Sequence, residues 1–233
     1  MKIIISPAKK MKRKKYSIAT TKPLFFDDAE QIANKIKLYS IPELKKAFKC
    51  SDKIATEVYN KYQTFNEKLY PAIYLYDGLQ YKNIDVMSML DEELDFLCDN
   101  LLIADALYGL IKPSDLISEY RLDYLSKFDF VQPSFYKNKI SKVLTEPFIN
   151  LSSNEYGSIL PEELAININF IQNLNGVEKS YSTNTKIARG TFVRYLAQNK
   201  DTSIEILKSY NEDGYKLDTA NSDDKNITYR KEV

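Results

Sequence analysis

Met1-Lys-Ile-Ile-Ile-Ser-Pro-Ala-Lys9 runs an apolar strand straight into a Ser-Pro turn that delivers a lysine. Three β-branched residues in succession favour a buried, pleated strand, and Pro7, which has no N–H, must leave the ladder. Ser6 and Lys9 therefore stand at a strand exit. In mixed α/β folds ligands bind at such exits, because loops held by a rigid sheet can converge there. The same nine residues also read as nothing more than the buried start of a sheet, so the rest of the chain decides.

Outward from that strand, helical periodicity covers 28–39, 42–49 and 52–68, with breaks at Ser40-Ile-Pro42 and Lys49-Cys-Ser51. Pro42 suits a first helical position, and Ser51 can cap the helix that follows it. Ala72-Ile-Tyr-Leu-Tyr76 reads as a strand closed by the Asp77-Gly78 turn, residues 91–101 as an acidic helix, and Leu101 to Tyr108 as a buried strand ending at Gly109. Pro113 starts a short helix, Phe135 to Leu144 forms another, and Pro147-Phe-Ile-Asn-Leu151 is a strand leading to Ser152-Ser-Asn-Glu155. Residues 165–170 alternate with period two and pair with 176–182 across Asn173-Leu-Asn-Gly176. Helices at 184–199 and 202–209 and short strands near 215–218 and 226–230 complete the pattern. This predicts an α+β fold in one domain spanning 1–233: a compact mixed sheet with surrounding helices and a helical hairpin insertion at about 41–68.

Composition narrows the chemistry. The 233 residues are 44% hydrophobic, enough for a sizeable core, and 33 Lys+Arg against 32 Asp+Glu leave no global field to attract polyanions. Charge is segregated locally: residues 1–16 hold seven bases and no acid, and residues 201–233 hold eight acids and five bases. The absence of His removes Ser-His-Asp catalysis and the usual zinc and non-haem iron sites, so no metal or cofactor is expected. Two distant cysteines, Cys50 and Cys98, suit a reducing compartment, and no apolar run reaches 18 residues. The expectation is a cytoplasmic protein without a membrane partner.

Of the 33 basic residues only five are Arg, so lysine is the default cation, and a retained arginine points to a place where a planar, bidentate donor matters, while composition drift accounts for a few arginines equally well. In 184–196, Lys186, Arg189 and Arg194 fall within an arc of roughly 140° on a helical projection. Gly190 sits inside that arc, where it lets a ligand or another backbone approach. Three cations around a gap suggest an anion site, and a solvated face accounts for the same pattern. Further polar groups, Ser6 and Lys9, Tyr108 with Gly109, Ser152 through Tyr156 including Glu155, and the stretch Tyr120-Arg-Leu-Asp123 including Arg121, follow buried strands or turns and would share that site if their segments converge. At 41–55, Leu44, Phe48, Ile54 and Val58 would pack between two helices while Lys45, Lys46, Lys49 and Lys53 cluster near their junction, where the second helix's free N–H groups could hold a phosphate. A purely structural hairpin fits these residues too.

Ile5-Ser-Pro-Ala-Lys9, Ser51-Asp-Lys-Ile-Ala55, Leu107-Tyr-Gly-Leu-Ile-Lys-Pro113, Asp115-Leu116, Tyr120-Arg-Leu122, Asn150-Leu-Ser-Ser-Asn-Glu-Tyr156, Ala188-Arg-Gly190 and Gly214-Tyr215 occur in this order along the chain. Together they resemble the YaaA family of peroxide stress proteins over essentially the whole length. The resemblance implies a single-domain α+β fold with a positively charged cleft and a helix-hairpin-helix-like element. It also implies survival of hydrogen peroxide, limitation of unincorporated iron and binding of double-stranded DNA. Carried over residue by residue, the cleft candidates are Ser6, Lys9, Tyr108, Arg121, Glu155, Lys186, Arg189 and Arg194, and Lys53 matches the hairpin. The chain departs from the family pattern at Tyr76 to Ile84 and at Phe135-Tyr-Lys-Asn138, and each departure deletes a carboxylate.

Three readings follow, the last and blandest being a structural or regulatory partner protein. In the first, a DNA-binding stress protein contacts phosphates through Lys45, Lys46, Lys49 and Lys53, with Lys9, Arg189 and Arg194 lining the cleft. In the second, an enzyme acts on a small phosphorylated or nucleotide-like anion clamped by Arg121, Lys186 and Arg189, with Glu155 or Lys9 transferring a proton.

Overall fold

The structure, a computed structural model, describes residues 1–174, 177–179 and 181–232. Strand β1 (Lys2–Ile5) is followed by helices α1 (Phe26–Lys37), α2 (Ile41–Phe48) and α3 (Asp52–Gln63). Then come β2 (Tyr70–Pro71), α4 (Ala72–Leu75), α5 (Leu79–Ile84), α6 (Asp91–Asn100), β3 (Leu101–Asp105), β4 (Gly109–Ile111) and β5 (Leu116–Ile117). The second half holds α7 (Pro133–Ile140), β6 (Phe148–Leu151), α8 (Asn154–Gly157), β7 (Ala165–Leu174), β8 (Val177–Lys179), α9 (Ser182–Asn199), α10 (Ile204–Ser209), β9 (Lys216–Leu217) and β10 (Asn226–Glu232).

Among the described residues the main sheet runs β4-β3-β1-β6-β7-β10-β9, with β8 paired to the end of β7. The opening strand sits in its middle, parallel to β3 on one side (Ile5 opposite Ile103) and to β6 on the other (Ile5 opposite Leu151). Ile3, Ile4 and Ile5 are completely buried, as a strand covered on both faces requires. Because β1, β3 and β6 are parallel, their carboxyl ends lie together, and the segments after Ile5, Asp105 and Leu151 leave the sheet at one edge. The expected α+β class is what the chain adopts.

The helical hairpin forms where Pro42 and Ser51 predict it. Glu43 accepts the Ser40 N–H at 2.8 Å at the start of α2, and Ser51 Oγ accepts the Ile54 N–H at 3.4 Å at the start of α3. Lys49 takes the left-handed conformation (φ 46°) that a glycine would occupy at such a helix end. Leu44 and Val58 are buried between the helices and Phe48 and Ile54 partly so. At the other end of the sheet, Phe170 and its register partner Tyr229 stack at 5.5 Å beneath α9 and meet Phe192.

Two expectations are corrected. Ala72 to Leu75 is a single buried helical turn and not a strand; a short apolar run has no periodicity to separate the two, and burial among other elements decides. After Pro113 the chain makes a turn and no helix, since the Asp115 carboxylate accepts the Lys112 N–H at 2.8 Å and the backbone passes directly into β5. The antiparallel β7–β8 hairpin forms, but β7 runs on to Leu174, so Asn173, expected in the turn, stands opposite Glu178 in the ladder; Asn175, Gly176 and Ser180 lie outside the described residues.

Candidate functional site

A cavity of about 700 Å³ opens at the carboxyl ends of β1 and β6. Its floor is the exit of β1: Ser6 Oγ accepts the Ser153 N–H at 2.8 Å, which ties the β1 exit to the β6 exit, and Tyr81 donates to the Ser6 carbonyl at 2.9 Å. The loop beyond is fixed to the turn before α5, with the Asp77 N–H donating to the Lys10 carbonyl at 2.9 Å and Lys10 Nζ reaching the Asp77 carboxylate at 3.1 Å. α5 and the first turns of α9 form the opposite wall. Gly190 allows this: a Cβ there would lie 2.3 Å from the Gln80 carbonyl, so only glycine lets α9 approach α5 so closely. The gap in the cationic arc is filled by another backbone.

Five of the candidates named from the sequence, Ser6, Lys9, Glu155, Lys186 and Arg189, line this cavity. Lys9 bridges to the buried Asp123 at 2.8 Å, and Lys10 is likewise paired. Lys186 and Arg189 have no carboxylate partner among the described residues. Burial lowers the Arg189 guanidinium to about 10, so it stays charged at neutral pH, and its Nε, buried, has no hydrogen-bond partner among the described residues. Glu155 is pushed up from the ordinary carboxylate range by burial and by Asp123, against the opposing pull of Lys9 and of the Tyr124 N–H, which it accepts at 3.0 Å.

The remaining candidates stand elsewhere. Tyr108 is fully buried, its hydroxyl accepting the Ser118 N–H at 3.1 Å; the tight β3–β4 connection at Gly109 (φ 73°) turns it into the core. Arg194 donates to the carbonyls of Ile84 and Asp85 at 3.0 and 3.1 Å and so caps α5. Sharing an arc with Lys186 does not bring it to the cavity, because eight residues are about 12 Å along a helix axis. Arg121 lies beside the cavity, in a separate hollow bounded by Lys9 and α3. On the hairpin, Lys45, Lys46, Lys49 and Lys53 are exposed, and Lys45 bridges to Asp52 at 2.9 Å.

Two contributors escaped the sequence reading. Gln80 is 6% exposed, lines the cavity, and its Nε2 has no hydrogen-bond partner among the described residues. Such an unmatched buried donor costs roughly 1–3 kcal/mol unless something accepts from it. Asp105, completely buried at the end of β3, accepts the hydroxyls of Tyr76 (3.0 Å) and Tyr120 and the backbone N–H groups of Leu107 (2.7 Å) and Tyr108 (2.8 Å). Burial raises its proton affinity and those four hydrogen bonds oppose the rise. Tyr76 also packs at 5.0 Å on Tyr81, so Asp105 braces the cavity floor from below. Asp123, named from the sequence at the end of Tyr120-Arg-Leu-Asp123, holds Lys9. The one sequence signal for Asp105 is a lone carboxylate inside the apolar run 101–108. Among the described residues no group of three or more His, Cys, Asp or Glu comes together to hold a metal ion, and no helix is long and apolar enough to cross a membrane.

The arrangement can therefore hold an anion between Lys186, Arg189 and the start of α9, offer the Gln80 amide to an acceptor, and move a proton at Glu155. Comparison with known proteins extends this. The profile of the family described as peroxide stress protein YaaA matches residues 1–221. A UPF0246 protein of Finegoldia magna is 37% identical, with 100% of this chain and 99% of the relative aligned. UPF0246 proteins of Clostridioides difficile and Francisella philomiragia are 35% and 32% identical, each over 93% of this chain and 94% of the relative.

Proposed function

The chain belongs to the peroxide stress protein YaaA family, and from that premise we propose that it is a cytoplasmic stress protein that binds double-stranded DNA and limits iron-dependent oxidative damage by shielding it. The supporting observation is the helix-hairpin-helix-like α2–α3 element, where the side chains of Lys46, Lys49 and Lys53 are exposed and without partners among the described residues. Lysines of this kind contact phosphates without reading bases. Ser51 already occupies one N–H at the start of α3, and Asp52 there ties up Lys45, so the lysine side chains carry the contact.

Fluorescence anisotropy of a labelled duplex across a salt series tests the reading. Affinity falls as a power of salt concentration, and replacing Lys46, Lys49 and Lys53 by Glu abolishes it, each lost contact removing about 0.9 from the log–log slope. If the triple variant binds like wild type while Arg189→Ala does not bind, the hairpin reading fails and the cavity carries the DNA.

A second reading is favoured by a specific observation: the buried donors Gln80 Nε2 and Arg189 Nε, unmatched among the described residues, belong to a cavity of a size that suits a small molecule. A small phosphorylated or nucleotide-like ligand would satisfy both, with Glu155 as its proton-transfer group. A thermal-stability screen against nucleotides tests it, with the shift expected in wild type and absent in Arg189→Ala.

A further inference from the structure

A second hollow, of about 340 Å³, shares only Lys9 and Lys10 with the cavity described above and is otherwise walled by Met11, by Arg121 and by the face of α3 that carries Ile54, Glu57, Val58 and Lys61. Arg121 is one of five arginines in a chain that otherwise uses lysine. Its backbone is held firmly: Tyr62 donates to the Arg121 carbonyl at 3.1 Å, and the preceding Tyr120 is anchored in the Asp105 network. Its Nε is buried and has no hydrogen-bond partner among the described residues.

Lys61 faces it from α3 without an ion-pair partner among the described residues, and burial lowers its affinity for a proton. The charges around it are mixed. Glu57 on α3 and Glu119 favour the ammonium, Arg121 and Arg13 oppose it, and Glu119 is already engaged by Arg13 at 3.1 Å. Lys9 and Lys10, on the rim, are bridged to Asp123 and Asp77. Arg121 and Lys61 thus line one hollow from two elements, and Glu57, which also lines it, has no ion-pair partner among the described residues.

We propose that this hollow is a phosphate-group site, distinct from the one at Lys186 and Arg189, in which Arg121 and Lys61 donate to the same phosphoryl group. The ligand chemistry follows from the donors. A tetrahedral phosphate presents acceptor oxygens to a planar guanidinium on one side and an ammonium on another, whereas a planar carboxylate is satisfied by the guanidinium alone. The site goes beyond the hairpin and cavity readings, since neither uses Lys61 or this hollow. Because α3 is the second helix of the hairpin, an occupant would join the hairpin to the β1 exit loop.

Isothermal titration of the full chain with inorganic phosphate, and with pyrophosphate, tests the assignment. Wild type is expected to take up two equivalents; Arg121→Gln loses one and leaves the other unchanged, and Arg189→Gln does the reverse. Lys61→Gln, a substitution that a helix tolerates well, weakens the Arg121-dependent equivalent roughly tenfold or more and serves in its place if Arg121→Gln does not fold. Adding a duplex oligonucleotide or a nucleoside monophosphate identifies the source of the phosphate: whichever displaces the Arg121-dependent equivalent carries it. The proposal is overturned if phosphate uptake is the same in wild type, Arg121→Gln and Lys61→Gln.

Discussion

The α2–α3 hairpin carries its cations on exposed lysine stems, whereas the cavity at the strand exits carries a buried Arg189 Nε and a buried Gln80 Nε2 that are unmatched among the described residues. Exposed ammonium groups are hydrated, mobile and individually worth little, so they can follow a polyanion of any sequence. Buried donors are already desolvated and fixed in direction, so they favour one shape of acceptor over others. The same residue types thus imply a broad surface in one region and a selective site in the other. What separates them is the scaffold: a local helix pair in the first case, and the meeting of β1, β3, β6, α5 and α9 in the second.

The largest test removes the brace. Asp105→Ala leaves two tyrosine hydroxyls and two backbone N–H groups without their acceptor beneath the cavity. A loss of more than about 3 kcal/mol of unfolding free energy is expected in urea titrations. In the fraction still folded, small-anion binding at Arg189 weakens while duplex binding through the hairpin persists. Equal loss of both activities would mean that the two regions are one cooperative site and would break the comparison.

A smaller effect is expected at Gly190. Its substitution by alanine forces a methyl group against the Gln80 carbonyl and Asn83 Cβ, which lie 2.3 and 2.7 Å from the added carbon, and drives α9 from α5. Overpacking of this kind costs roughly 1–3 kcal/mol. Anion binding should fall further than stability alone requires, because Gln80 and Arg189 sit on the two separated helices, and hairpin lysines should be indifferent. Calorimetric phosphate titrations beside duplex anisotropy measure both; unchanged anion affinity would show that the wall is not part of the site.

The two regions also differ in how legible they are in the amino-acid string. The hairpin depends on neighbours in sequence, so Pro42, Ser51 and the spacing of Leu44 and Val58 predict it. The β1 exit is equally local, and Ser6 and Lys9 follow from it. The rest of the cavity depends on distances that no linear pattern contains. A helical projection discards the axial coordinate, so Arg194 looks like a partner of Lys186 although it caps α5. Tyr108 follows a strand as Ser6 does, yet Gly109 closes the β-turn so tightly that the ring packs inward. Gln80 gives no signal at all, since a lone glutamine becomes informative only once it is known to be buried. Asp105 does stand out in an apolar run, but its brace needs Tyr76 and Tyr120, 29 and 15 residues away.

The smallest expected effect concerns Glu155, and it asks whether this cavity-lining carboxylate is poised as a proton carrier or held as a charge by Lys9. Folding raises its affinity for a proton above the ordinary value of 4.5, chiefly through burial and then through Asp123. The folded state then binds that proton more tightly than the unfolded chain, so the contribution of Glu155 to stability is present in full below 4.5 and is lost as pH rises through the folded-state value. Glu155→Gln keeps an oxygen for the Tyr124 N–H and removes the titration. Its melting temperature should match wild type near about pH 4 and exceed it by no more than about 2–4 °C near about pH 7. A deficit that grows with pH would mean that Lys9 stabilises the ionised carboxylate more than burial penalises it. The cavity would then resemble the hairpin in using its charges only for attraction, and the distinction between a selective site and a broad surface would rest on Arg189 and Gln80 alone.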